Sequence, residues 1–239
     1  MNPTTDDLCR RGEQLGAMLA PAELADVPMY VVPQSRLPFD LGGDSVCHGF
    51  TTGSLDLHLQ DVIGRDWRGR GACVVVNDVA LHSEFADSYD SKFLGTVVHE
   101  LAHVLERPSP YRPRPDIDAD TLRREATEVA KVVSGPPTND EELLPWFGHE
   151  ARFIRIAMHL WYRAKQFDLY LFPDEIMVAD WYALSPANWY AQATQAEAER
   201  MANATFREIC SQKLPEPFRG LWTGDVLAWS EATLRKEPE

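Results

Sequence analysis

The segment "KFLGTVVHELAHVLERP", residues 92 to 108, sets two histidines four apart with a glutamate directly after the first. On a helix, positions i and i+4 stand one turn apart on one face, so His99 and His103 would meet a single zinc ion at about 2.0–2.1 Å. Glu100, beside the first imidazole, would then reach a water activated by that metal and take its proton. With seven histidines in 239 residues, chance produces this pattern in roughly one of 60 to 70 chains of such composition. The competing reading is an ordinary amphipathic helix. Lys92, Thr96, Glu100, His103, Glu106 and Arg107 fall on the side of His99, while Phe93, Leu94, Val97, Val98, Leu101, Ala102, Val104 and Leu105 fall opposite. The polar stripe would then face water, or floor a cleft.

A catalytic zinc takes three protein ligands and keeps one position open. The first candidate for the third is His149, in "LPWFGHEARFIRIAMHLWYRA". It shares a helical face with Phe153, Ile156, Leu160 and Phe167, where an imidazole needs a hydrogen bond or a metal. His159 lies about 80° off that stripe and is a poorer choice. The second candidate is a glutamate in "LRREATEVAKVV". Glu125 borders the apolar face of that segment, and Glu128 points nearly opposite. Oxyanion donors from position alone are Tyr111, Arg152 and Tyr162. Cys47, His48 and Cys73 would make a second metal site only with a partner at recognisable spacing, and none is evident.

These residues need elements to hold them. "TTDDLCRRGEQLGAMLA" reads as an N-terminal helix ending before Pro21, and "VPMYVVP" as a short strand closed by proline. "TTGSLDLHLQDV" places Leu55, Leu57 and Leu59 at alternate positions, as a half-buried strand does. "RGRGACVVVNDVAL" is a strand with a continuous apolar centre from Ala72 to Val76. It is the natural sheet edge for a substrate to pair with, or else a central core strand. The helix of the two histidines follows, capped by Asp90 or Ser91 and stopped by Pro108. The proline-rich stretch 107–118 is a loop. Helices are expected from about 119 to 134, from His149 to Phe167, and from Gln192 to Cys210. Trp181, Tyr182, Trp189 and Tyr190 either line a groove or pack the C-terminal helices together.

The fold class is α+β: a small N-terminal β-sheet, then a mostly helical C-terminal half. One domain spans 1–239, with helix and sheet in 1–90, the chemistry-bearing helices in 91–168 and a helical extension in 169–239. Hydrophobic residues at 44% and aromatics at 10% suit a packed core. A net charge of -14 repels phosphate backbones, so no nucleic-acid partner is expected. The four cysteines are scattered without a CxxC pair, and the chain shows neither a signal peptide nor a run of about 18 apolar residues. A soluble, reduced, cytoplasmic protein without membrane contact is expected.

"HELAH" followed downstream by "GHEARF" resembles the SprT-like zinc metallopeptidases, over about 70 residues. The resemblance implies a zincin-like fold, Zn2+ held by His99, His103 and His149, Glu100 as general base, and a peptide or protein substrate. With Glu125 or Glu128 as third ligand instead, the chain looks like a gluzincin. A non-catalytic interaction or structural protein, with a structural metal or none, is the alternative of another class.

Overall fold

The computed structural model describes residues 3–38, 47–52, 55–106, 151–171, 176 and 195–212. Its order begins with α1 (Thr5–Leu19), α2 (Pro21–Leu24), β1 (Met29–Pro33), β2 (Gly49–Thr51), α3 (Leu55–His58) and α4 (Gln60–Ile63). β3 (Ala72–Val76), α5 (Asp78–Glu84), α6 (Tyr89–Glu106), α7 (Ala151–Gln166) and α8 (Phe206–Ser211) follow. A helical stretch at 195–200 precedes α8. The class is α+β, as expected.

α1 starts where Thr4 and Asp7 form a reciprocal capping box. The three strands lie in the order β1-β3-β2. β1 runs parallel to β3 with Val31 opposite Val74, and β2 runs antiparallel with Phe50 opposite Val75. β3 is therefore the central strand, which corrects the edge assignment of "ACVVV". All five of its side chains are buried, and an unbroken apolar run is what burial on both faces selects.

The sheet divides two cores by its period of two. Met29, Val31, Ala72, Val74 and Val76 point into the larger core with residues of α1, α6 and α7. Tyr30, Val32, Cys73 and Val75 point the other way, onto Leu55 and Leu59. Those leucines belong to helical turns and not to a strand, a second correction. Leu55 and Leu59 are also four apart, so one helical face holds both while Leu57 is left 46% exposed. Asp56 is buried and accepts hydrogen bonds from Arg70 Nε at 2.8 Å and the Gly71 N–H at 3.0 Å.

α6 begins at Tyr89, so Asp90 and Ser91 lie within its first turn and neither caps it. α7 follows the expected helix closely, but Phe167 falls beyond its end and is half exposed, not on the core face. The expected helix Gln192 to Cys210 is broken: a turn at 201–204 separates stretch 195–200 from α8. Thr205 caps α8 with a second reciprocal box to Glu208, which favours a new helix start. No described helix is long and apolar enough to cross a membrane.

Candidate metal centre

α6 is buried on every side from Phe93 to His103. From Thr96 to Glu106 its polar stripe is inside the protein, with His99 at 7%, Glu100 at 4%, His103 at 7% and Glu106 at 4% exposure. The solvated-face reading of this helix is thereby lost. Polar groups so enclosed need partners, and each imidazole has one on Nδ1.

His99 Nδ1 lies 2.6 Å from the main-chain oxygen of Ile176. A carbonyl only accepts, so Nδ1 carries the proton and the lone pair sits on Nε2. His103 Nδ1 lies 3.4 Å from Glu106 Oε2 and donates to that carboxylate. The two rings stand 5.2 Å apart at 76°. Phe153 of α7 packs against both, 4.9 Å from His99 and 4.3 Å from His103, and so walls the pair on its helical side. Burial, and then the neighbouring His103, push His99 down to about 3, while the Ile176 carbonyl opposes them. His99 is thus a neutral imidazole at physiological pH, the form that ligates a metal.

Glu100 faces the edge strand. A Cβ on Gly49 would meet Thr96 Cγ2 at 2.5 Å, the Val75 carbonyl at 3.0 Å and Glu100 Oε1 at 3.2 Å. Glycine is what lets β2 approach the carboxylate this closely. Sequence reasoning missed Gly49, since a lone glycine beside a strand carries no such signal by itself. Cys47 donates from Sγ to the Gly49 carbonyl at 2.9 Å. Burial pushes its thiol up, and Glu100 adds to that.

His149, Glu125 and Glu128 lie outside the described residues, as do Tyr111, the 107–118 loop and the aromatic group at 181–190. Tyr162 lies in α7, half-buried. Arg152 lies in α7. Among the described residues no group of three His, Cys, Asp or Glu is placed to hold a metal. His48 pairs instead with Glu84 at 3.1 Å, and Cys73 is buried in the smaller core, which separates the residues of the second-site reading. His159 is drawn into another cluster, with Nε2 2.9 Å from Glu197 Oε1.

The donor chemistry fits zinc: two imidazoles one turn apart, each with Nδ1 engaged, so that Nε2 is the nitrogen that would meet the metal. Comparison with protein-family models, with curated proteins and with solved structures finds no match to this chain.

Proposed function

We propose that this chain is a zinc-dependent peptidase of zincin-like fold, with His99 and His103 as two ligands and Glu100 as general base. The third ligand comes from the segment beyond α6, His149 ahead of Glu125 or Glu128. What supports the reading is the acceptor on each Nδ1, the Ile176 carbonyl for His99 and the Glu106 carboxylate for His103, which makes Nε2 of each ring the nitrogen that would meet a metal. Bound zinc would supply a Lewis acid that polarises a scissile carbonyl and activates water near neutral pH. Glu100 takes a proton from the attacking water as its oxygen bonds to the carbonyl carbon. It passes that proton to the departing amine nitrogen as the C–N bond breaks. β2, an edge strand among the described residues, stands beside Glu100 and is the place for an extended peptide to pair. Four free cysteines accord with a reduced, cytoplasmic setting.

One observation favours a second reading, a structural zinc site in a non-catalytic protein: the near-complete burial of His99, Glu100 and His103. Structural sites are closed, whereas catalytic ones keep an open position. Metal content by elemental mass spectrometry and chelator-sensitive cleavage of a peptide library separate the two. About one zinc per chain is expected, with Glu100→Gln keeping the zinc and losing cleavage by roughly 10²–10⁴-fold. Zinc without chelator-sensitive cleavage across the library would leave the structural reading. No zinc in folded wild type, even after it is added back, would end both. Loss of zinc in His149→Ala, against loss in Glu125→Ala with Glu128→Ala, identifies the third ligand.

A further inference from the structure

We propose that Glu106 is a positioning residue for the metal centre, holding His103 through Nδ1 so that Nε2 is aimed and made a stronger donor. The inference rests on the zinc assignment above and deepens it. Glu106 sits three residues after His103, on the same face of α6, where the helix brings i and i+3 side chains together. Its carboxylate oxygen Oε2 lies 3.4 Å from His103 Nδ1 with both side chains inside, 6% and 8% exposed. A carboxylate so enclosed needs compensation, and the Nδ1–H of His103 supplies one hydrogen bond.

The two imidazoles are held differently. His99 leans on a neutral main-chain carbonyl of Ile176, far along the chain, while His103 leans on an anionic side chain from its own helix. An anionic partner on Nδ1 raises the basicity of Nε2 more than a neutral one does, so His103 is the stronger of the two donors. Glu106 also lies about 10 Å along the helix axis from His99, too far to share one metal ion with it. Its place is behind the ligand.

The test is zinc affinity of the full metal-free chain, measured by competition with a chromophoric chelator, together with the visible spectrum after Co2+ is substituted. Glu106→Gln keeps the shape and removes the charge, and Glu106→Ala removes both. Glu106→Gln is expected to bind zinc several-fold more weakly and Glu106→Ala roughly 10- to 100-fold more weakly, with the Co2+ bands moved in both. Zinc affinity of Glu106→Gln within about twofold of wild type would overturn the proposal, whatever the alanine variant does. So would weaker binding with an unmoved Co2+ spectrum, the mark of a merely softened helix. Wild type that binds no zinc would remove the metal centre itself, which is a separate failure.

Discussion

Each His of the pair is defined by what sits on its far nitrogen, and the same logic ranks the cysteines. The thiol of Cys9 is pushed up to about 12 by burial, and that of Cys73 further still. Only the thiolate reacts, so both are inert while the fold is intact. Cys47 is exposed and Cys210 half-buried. A thiol-specific chromogenic reagent is therefore expected to modify Cys47 first and Cys210 more slowly, with Cys9 and Cys73 appearing only in denaturant. Cys47→Ser should remove the first phase, and a first phase that survives this change would contradict the assignment. Legibility at this scale was uneven. The spacing of His99, Glu100 and His103 was plain in the sequence, but Glu106 read as one more residue of the polar stripe and Gly49 as nothing. Neither role exists until α6 is enclosed and β2 is laid against it.

At the scale of elements, α7 acts as a strut with two faces of contact, one aromatic and one polar. Phe153 braces the imidazoles of α6, while Arg155, His159 and Arg163, four apart, reach the C-terminal part of the chain. Arg155 donates to both oxygens of Glu197, at 2.7 and 3.0 Å, and to the Gln212 carbonyl at 2.7 Å. Arg163 donates to the carbonyls of Leu19 at 2.7 Å and of Ala204. Removing one partner of a buried ion pair strands the other charge. Arg155→Met is therefore expected to cost about 3–5 kcal/mol, read as a lower urea midpoint. A midpoint unchanged from wild type would mean that Glu197 finds other partners. α1, β1, β3 and α6 were legible from their apolar patterns and the prolines that bound them. The turns of Leu55–Ile63 were not, because leucines two apart and four apart fit a strand and a helix equally.

For the molecule as a whole, buried titratable groups set how stability follows pH. Burial lowers His159, and His99 to about 3. Below about 6.5 the unfolded chain takes up protons that these folded imidazoles refuse, so acid favours unfolding. Burial alone would raise Glu197, but hydrogen bonds from His159 and Arg155 outweigh it and hold the carboxyl low. That contribution is present above the unfolded carboxylate range and is lost as pH falls through the folded value. Glu13, raised by burial, works the opposite way, its share fading as pH rises. The histidines act first on acidification. The stability of metal-free protein, read from the urea midpoint, is expected to fall between pH 7 and pH 5, with His99 contributing about 1.4 kcal/mol per pH unit below 6.5. A flat profile over that range would show that the imidazoles are reached by water.

The sequence by itself determined the local chemistry: two imidazoles and a carboxylate on one helix turn, an apolar strand before it, and capping boxes such as that of Thr4 with Asp7. These depend on residues a few positions apart, where backbone geometry dictates the neighbours. Only the tertiary structure decided that the polar stripe of α6 is inside and that β3 is central. It also decided that Ile176, 77 residues from His99, supplies the acceptor that sets its tautomer. Those outcomes depend on which faces meet across the chain. Hydrophobic period gives the width of a face but not its partner, and a carbonyl that any residue carries leaves no mark in the sequence.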